Sequence, residues 1–351
     1  STASKTLRFF APALIFSVQC RRLGLGSLQG RAHGRTVSFM FASESQQVTA
    51  SPNANTIFMV WKFKNGISED ALVEGFQNLC GLVINLNHTA ANRYSPENAS
   101  IVLGISHSAW LTLDLPKPLP QELVEFEEIR GPKHTAVSTP GDLHFHIRAT
   151  QPSVAYDMAS AITAALRDIA EVLEEVHGFR YWDGRSIIGF VDGTENPQTP
   201  AAREYFGIIG DDDPAYKGGS YQFVQKYIHD MTAWNALPVS EQEKVIGRSK
   251  HEDIEMGEDE KPANSHSALA NIGDDFKVIR DNMPFGTVGN NELGTYFICY
   301  ASTFSTVRKM LMNMFMGVDG ANYDRLLDFS TAVTGTLFFV PTVDMLGDFA
   351  G

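Results

Sequence analysis

The alternation of strand-like and helical segments is the feature of this sequence that most restricts its fold. A β-branched and aromatic run at 56–63 predicts a strand, and residues 68–85 place apolar side chains at helical spacing. Short buried strands are predicted at 101–105 and 143–147, and one long, capped helix is predicted over 153–178. This order, β-α-β and then β-α-β with antiparallel pairing, is typical of a ferredoxin-like unit.

A similar succession recurs after Pro197. Strands are predicted at 221–228, 295–300 and 336–340, and helices at 231–236, 240–246 and 303–316. The sequence therefore predicts an α+β protein with two halves, which we place at 51–185 and 186–351. The four methionines within 303–316 are interpreted as core filling rather than as part of a cofactor pocket.

The beginning of the chain differs in composition from the rest. Residues 1–43 contain six basic and no acidic side chains, and an apolar run at 9–18 follows Lys5 and Arg8. Three interpretations stay open: a signal peptide, a transit peptide, or a non-native leader with Met40 as the native start. We predict that residues 1–50 lie outside the fold.

Charge and cysteine content exclude several classes of function. The net charge is −13, and beyond residue 43 the chain carries 22 basic against 41 acidic side chains. Such a surface repels nucleic acids and anionic membranes, so we expect neither as a partner. Cys20, Cys80 and Cys299 form no CxxC motif, and a sparse, odd count favours a reducing compartment, so we expect a cytoplasmic location. No apolar run reaches 18 residues, so no transmembrane helix is predicted.

The segment IIGFVDGTENP at 187–197 places a carboxylate directly after an apolar run that resembles a buried strand. A buried carboxylate is costly unless a partner or a chemical task compensates for it. Asp192 can cap the turn that Gly193 allows, or it can be a functional acid. A calcium loop with Glu195 and Asn196 is a third interpretation, although the spacing fits no EF-hand.

Few of the ten histidines carry a signal for metal binding. His144 and His146 alternate on one predicted strand, but no third ligand accompanies them, so we interpret both as structural. His266 lies in a polar loop ahead of the segment IRDNMPFG at 279–286, and alone it would be a surface histidine.

Asp192, His266 and Arg280 together provide one acid, one possible axial ligand and one permanent cation in the second half. A haem peroxidase needs such a set. The iron needs an imidazole held by a hydrogen-bond acceptor. The side where peroxide binds needs a base for a proton and a cation for developing negative charge.

At these residues the chain resembles the dye-decolorizing (DyP-type) haem peroxidases, specifically their bacterial B-type branch, over 55–346. The matching segments are GFVDGTENP at 189–197, GGSY at 218–221, IGR at 246–248, SH at 265–266, IRDNM at 279–283, NYDR at 322–325, DF at 328–329 and TGTLFFVP at 334–341. Several blocks in the right order make the resemblance specific. The leader has no counterpart in the family.

The resemblance implies roles for individual residues. His266 corresponds to the proximal haem ligand, and Asp324 to the acid that hydrogen-bonds the far nitrogen of that ligand. Asp192 and Arg280 correspond to the distal catalytic pair. Asn282 corresponds to a distal amide that can hold water or peroxide.

The resemblance also implies the cofactor and the reaction. Non-covalent haem b would lie in the second of two ferredoxin-like halves with antiparallel sheets, and Arg248 would lie near a haem propionate. Hydrogen peroxide would convert the haem to a ferryl intermediate, which would oxidise dyes and phenolic compounds as small aromatic reductants.

Other interpretations stay open at this point. A haem carrier without turnover is disfavoured because a carrier would bury the charged pair Asp192 and Arg280 without benefit. An enzyme that acts on haem itself is the second alternative. We expect a homo-oligomer, and no encapsulin shell as a partner, because the chain ends at Gly351 without the tail that directs some relatives into such shells.

Overall fold

The computed structural model describes residues 43–318 and 321–351. Its helices and strands, labelled in chain order, are β1 Asn55–Phe63, α1 Glu69–Arg93, β2 Ser100–Ser106, α2 His107–Thr112, β3 Ile129–Arg130, β4 Thr135–Ala136, β5 Leu143–Ala149, α3 Pro152–Leu166, β6 Ala170–Phe179, α4 Pro200–Gly207, β7 Ser220–His229, α5 Met231–Ala236, α6 Val239–Ile246, α7 His266–Ala270, β8 Ile279–Arg280, β9 Met283–Thr287, β10 Glu292–Ala301, α8 Phe304–Met316, β11 Ser330–Ala332, β12 Thr336–Val340 and α9 Val343–Phe349.

Ten of the described strands form one antiparallel sheet. Their order is β6-β1-β5-β2-β12-β7-β10-β8, with β9 also paired to β10 and β11 to β7. In the first half, the strands lie in the order fourth, first, third, second, and α1 and α3 make the connections. In the second half, β12, β7, β10 and the β8–β9 segment repeat that order. The predicted fold of two ferredoxin-like halves is confirmed, and β2 pairs with β12 where the halves join.

Several predicted elements agree with the structure, because their local signals and packing favour the same conformation. In α1 the Ser68 hydroxyl accepts a hydrogen bond from the Ala71 amide, and two acidic residues occupy the first turn. Leu72, Phe76 and Leu79 form its buried stripe. The helix continues to Arg93, eight residues beyond the predicted end at 85.

The long helix predicted over 153–178 is wrong in its second part. α3 ends at Leu166, and Ala170–Phe179 forms β6, which pairs with β1 along its whole length. The apparent helical stripe included Leu173, but this side chain is 43% exposed. Gly178 does not end a helix. A Cβ atom there would lie 2.6 Å from Met283 Cβ, so its missing side chain lets β6 approach β9.

The buried strand expected ahead of Asp192 is also wrong. Residues 187–190 form turns, and a single bridge joins Arg185 to Val191. Ile188 and Phe190 pack with Trp234, whose indole nitrogen donates to the Ile188 carbonyl at 3.0 Å. Packing against α5 and α6, rather than strand pairing, therefore explains why this run is apolar.

The prediction that residues 1–50 lie outside the fold includes too many residues at the C-terminal end of this segment. Gln46 and Val48 are buried. The Gln46 amide nitrogen donates to the carbonyls of Leu103 and Pro341 at 3.1 and 2.8 Å, and its oxygen accepts from the Leu103 amide at 2.8 Å. This side chain links the ends of β2 and β12. The three interpretations of the leader lie outside the described residues, and the division at 185/186 stays a prediction.

One face of the sheet curves around a second, smaller core. Phe58 of β1 stacks on Tyr296 of β10 with ring centroids 4.1 Å apart, and Val224 and Phe338 belong to the same cluster. Within 43–318 and 321–351, no helix is long and apolar enough to cross a membrane.

Candidate active site

A cavity lies in the second half, on the face of β7 and β10 that carries Tyr227, His229, Thr295 and Phe297. It contains about 850 Å³ of space between protein atoms, part of which is open to solvent. All of its lining residues fall within 186–330, and most are apolar. The cavity suits a large, flat and mainly apolar ligand.

His266 and Asp324 meet at one wall of this cavity. His266 is the first residue of α7 and lines the cavity, and its Nδ1 lies 2.6 Å from Asp324 Oδ2. The other carboxylate oxygen of Asp324 accepts from the Leu326 amide at 2.9 Å, and the side chain is fully buried. An ionised carboxylate only accepts, so Nδ1 carries the proton and Nε2 is left with its lone pair. The structure thus brings these two predicted residues together as an oriented imidazole–carboxylate pair.

Asp192 and Asn282 form a second pair at the cavity. The Asn282 amide nitrogen lies 3.3 and 3.2 Å from the two carboxylate oxygens of Asp192, and the Asn282 oxygen accepts from the Ile298 amide at 3.2 Å. The bond to Ile298 fixes which end of the amide faces Asp192. Asn282 therefore orients the Asp192 carboxylate.

Arg280 lines the same cavity, and the segment 187–197 holds its backbone. The Asn196 oxygen accepts from the Arg280 amide at 2.9 Å, and the Asn196 nitrogen donates to the Arg280 carbonyl at 2.7 Å. This contact commits the Asn196 oxygen, which argues against the calcium-loop interpretation. The Arg280 Nε is buried and has no hydrogen-bond partner among the described residues, so the guanidinium can bind a ligand.

A second, more polar cavity adjoins the first. Val191, Asp192, Arg280 and Asn282 line both, and the second cavity extends between basic side chains such as Arg203. Asp192, Asn282 and Arg280 therefore stand between an apolar ligand cavity and a polar one.

Arg248 does not line the cavity, unlike Asp192, His266, Arg280 and Asn282. Its Nε lies 2.8 Å from Asp253 Oδ1, and its guanidinium is 3.6 Å from Glu255. Ile246, two residues earlier, does line the cavity. A role of Arg248 beside a propionate stays a prediction.

Sequence reasoning missed three cavity residues. Met310 and Met314 are buried in the hydrophobic core, as interpreted, and they also line the cavity. His229 is buried with its ring nitrogens 2.7 Å from Ser330 Oγ and 2.8 Å from Thr295 Oγ1. Burial lowers the pKa of His229 to about 4, so the ring is neutral. Apolar spacing on a helix does not distinguish a cavity from a core, and no motif surrounds His229.

Comparisons with known proteins agree with this geometry. A family model described as "Dyp-type peroxidase, N-terminal" matches residues 45–180, and one described as "Dyp-type peroxidase, C-terminal" matches 183–345. A dye-decolorizing peroxidase of Rhodococcus erythropolis is 49% identical over 297 residues, which cover 83% of this chain and 85% of that protein.

Solved structures extend the similarity. A dye-decolorizing peroxidase from Bacteroides thetaiotaomicron is 50% identical with a TM-score of 0.85, covering 88% of this chain and 99% of that one. A DypB variant of Rhodococcus jostii RHA1 in complex with haem is 43% identical with a TM-score of 0.79, covering 86% and 97%. An encapsulated DyP-type peroxidase from Mycobacterium smegmatis is 45% identical with a TM-score of 0.80, covering 88% and 98%.

Proposed function

The chain belongs to the Dyp-type peroxidase family and is a haem-dependent peroxidase, and we propose that it uses hydrogen peroxide to oxidise dyes and small phenolic compounds. The observation that carries this proposal is the 2.6 Å contact between His266 Nδ1 and Asp324 Oδ2 at the wall of an apolar cavity. A neutral imidazole with one nitrogen bound to a carboxylate and the other directed to a ligand is the usual arrangement of a metal-binding histidine.

The residues present fit haem b. His266 would ligate the iron through Nε2, and the apolar lining, which includes Phe190, Phe297 and Leu311, would cover the faces of the macrocycle. Bound haem supplies two-electron reduction of peroxide followed by one-electron oxidation of donors. No covalent attachment is needed, since buried apolar contacts and one axial ligand hold the group.

Asp192 would act as the proton carrier. Its carboxylate would accept a proton from one oxygen of peroxide and return it to the oxygen that leaves as water. The amide of Asn282 holds the carboxylate in place, at 3.2–3.3 Å from its oxygens. Arg280 adds a permanent positive charge that stabilises negative charge on the departing oxygen.

The polar cavity beside Asp192 is the route that we assign to peroxide. It reaches Asp192, Asn282 and Arg280 past polar side chains without crossing the apolar cavity. A molecule as small as peroxide can use this route, whereas a large dye would donate its electrons from outside.

A peroxide-dependent assay separates the proposed function from its alternatives. The haem-loaded protein should decolorise an anthraquinone dye with peroxide and retain its haem spectrum after many turnovers. A haem carrier would show no turnover, and an enzyme that acts on haem would lose the haem absorbance. The carrier hypothesis is also disfavoured, because a haem carrier does not need the charged side chains of Asp192 and Arg280 at its cavity.

Three further expectations concern the setting of this activity. We propose a cytoplasmic location and a homo-oligomer. The expectation that no encapsulin shell encloses the protein stays a prediction, and the encapsulated relative gives a reason to test it.

A further inference from the structure

The inner face of the sheet carries four polar aromatic side chains that the proposed reaction does not use. Tyr296 and Tyr300 lie on one face of β10, and His144 and His146 lie on one face of β5. All four side chains are fully buried. The intervening Phe297 of β10 lines the cavity, so the two tyrosines lie on the opposite face of the same strand.

The hydrogen bonds around Tyr300 have a defined direction. The Gln222 amide nitrogen donates to the Tyr300 oxygen at 3.0 Å, and that oxygen lies 2.7 Å from His146 Nδ1. Because the phenol oxygen already accepts from Gln222, its hydrogen is directed to His146 Nδ1. The proton of the imidazole is then on Nε2, which lies 3.5 Å from Asp281 Oδ2.

The network continues as a buried ion pair. Asp281 Oδ2 lies 3.0 Å from Arg148 NH1, and the exposed fractions of these side chains are 2% and 1%. Phenol and imidazole are hydrogen-bonded, and carboxylate and guanidinium are ion-paired, but His146 Nε2 has no hydrogen-bond partner among the described residues and faces Asp281 only at 3.5 Å. The Asp281 carboxylate attracts a positive charge on the imidazole, whereas burial and the Arg148 guanidinium oppose that charge.

Tyr300 and His146 are both uncharged at rest. Burial raises the pKa of Tyr300 and lowers the pKa of His146 well below its usual value. The phenol therefore keeps its proton at neutral pH. It can transfer this proton to His146 only when it also loses an electron, because oxidation makes a phenol strongly acidic.

Tyr300 also lies close to the residues of the active site. Its backbone pairs with Ile279, and the preceding residue, Cys299, pairs with Arg280 of the cavity wall. Asp281 is the residue between Arg280 and Asn282. The β8–β9 segment thus places Arg280 and Asn282 at the cavity and Asp281 beside His146 and Arg148.

We infer that Tyr300 is a redox-active residue that can hold one oxidising equivalent outside the haem cavity. The inference rests on the proposed peroxidase function, which supplies the oxidant. Tyr300 gives one electron to the haem centre that peroxide has oxidised and gives its phenolic proton to His146 Nδ1. The products are a neutral tyrosyl radical and an imidazolium beside Asp281. An electron from a donor, with return of the same proton, restores the phenol.

Tyr296 provides the matched control. It is on the same strand, equally buried and stacked on Phe58, but its oxygen lies 3.4 Å from His144 Nε2. That distance is too long for a good hydrogen bond to a base. The Tyr296 hydroxyl instead lies beside the buried Glu174 carboxylate, so Tyr296 lacks the short contact to an imidazole that His146 gives Tyr300.

The test is freeze-quench electron paramagnetic resonance on haem-loaded protein mixed with one equivalent of peroxide and no donor. We expect a tyrosyl signal in the parent and in Tyr296→Phe, and its loss in Tyr300→Phe. Labelling with ring-deuterated tyrosine should narrow the signal. In deuterated water, the parent signal should carry couplings to two exchangeable deuterons, one from His146 at 2.7 Å and a weaker one from the Gln222 amide at 3.0 Å.

The outcomes distinguish failure of the Tyr300 inference from failure of the proposed peroxidase function. An unchanged signal in Tyr300→Phe, or a parent that reacts with peroxide but shows no tyrosyl signal, overturns the inference and leaves the peroxidase function intact. A parent whose haem spectrum does not respond to peroxide contradicts the proposed function itself. If Tyr300→Phe does not fold, His146→Phe replaces it, because it removes the acceptor without adding an exchangeable N–H: the stronger deuteron coupling must be lost there, and two unaltered couplings exclude His146 as the acceptor.

Discussion

Arg148 of β5 and Asp281 form a buried ion pair, 3.0 Å between NH1 and Oδ2, that ties a strand of the first half to the segment carrying Arg280 and Asn282. The lining of the haem cavity comes from residues 186–330, so the first half acts on the site through contacts such as this one. Arg148 also donates to Ser100 Oγ at 3.2 Å and to the Gln47 carbonyl.

Replacing Arg148 should therefore destabilise the protein strongly. Arg148→Met leaves the Asp281 carboxylate buried without its partner, which costs on the order of 3–5 kcal/mol. Urea unfolding of the haem-loaded protein measures this loss. The control is Arg130→Met, because Arg130 is 78% exposed and pairs with Glu128 at the surface, where an ion pair is worth about 0–1 kcal/mol. Equal effects of the two variants would contradict the buried pair.

His266 should be required for haem binding. His266→Ala removes the imidazole whose Nε2 we assign to the iron, so the variant should lose haem or bind it weakly. Titration with haem, followed through the Soret band, measures this. His177→Ala is the control, since His177 lies on β6 and pairs with Glu175 at 2.6 Å on the surface. Unchanged affinity and spectrum in His266→Ala would assign the iron to another residue.

Asp324 should set the electron donation of His266. Asp324→Asn replaces a charged acceptor by a neutral amide, so the imidazole becomes a weaker donor and the oxidised state of the haem loses stabilisation. The reduction potential of the haem should rise, as measured by redox titration. Asp328→Asn is the matched control, because Asp328 lies in the same turn as Asp324 but contacts Lys133 and His134 instead of His266. A potential that moves equally in both variants would exclude a specific role of Asp324.

The fold was predictable where local pattern and long-range pairing favour the same structure. The strand at 56–63 and the helix at 231–236 were predicted within one residue of β1 and α5. The helix predicted over 170–178 was wrong because Leu173 continues a helical apolar spacing, whereas in the fold this segment pairs with β1 as a strand. Pairing with a strand more than 100 residues away overrides the local periodicity, and this pairing cannot be predicted from the periodicity.

The candidate site was predictable only in part from the residues. His266 and Asp324 are 58 positions apart, and without a resemblance nothing in the sequence joins them. Asn196 was interpreted as a turn residue or calcium ligand, but it holds the backbone of Arg280. Such roles depend on contacts across the fold, because the same amide side chain serves turns, metals and backbone groups equally well.

Asp192 and Arg280 should both accelerate the reaction with peroxide. Asp192→Asn removes the proton carrier and should slow the peroxide-induced change of the haem spectrum by roughly 10²-fold or more. Arg280→Leu removes charge stabilisation and should slow the same step by about 10²–10³-fold. Stopped-flow absorbance measures both. Asp211→Asn, at a carboxylate that is 90% exposed, is the control. Parent rates in both variants at acidic and neutral pH would exclude the pair as distal catalysts.

The last prediction concerns acid stability. Burial lowers the pKa of His229 to about 4 and that of His144 to about 3, and it also lowers the pKa of His146. In the unfolded chain a histidine has a pKa of about 6.5. Below pH 6.5 these histidines therefore bind protons in the unfolded chain but stay neutral in the folded protein. The free energy of unfolding falls as the pH falls.

Each of these histidines should contribute up to about 1.4 kcal/mol per pH unit in this window, and nothing above pH 6.5. His229→Gln removes this one contribution, so between pH 6 and 5 the free energy of unfolding should fall by about 1 kcal/mol less than in the parent. Urea unfolding of the haem-loaded parent and variant at several pH values measures this dependence. Burial raises the pKa values of Asp281 and Glu174, but their contribution cancels in the comparison. His177→Gln, at an exposed site, should keep the parent dependence, and the same dependence in His229→Gln would mean that His229 is protonated in the folded protein.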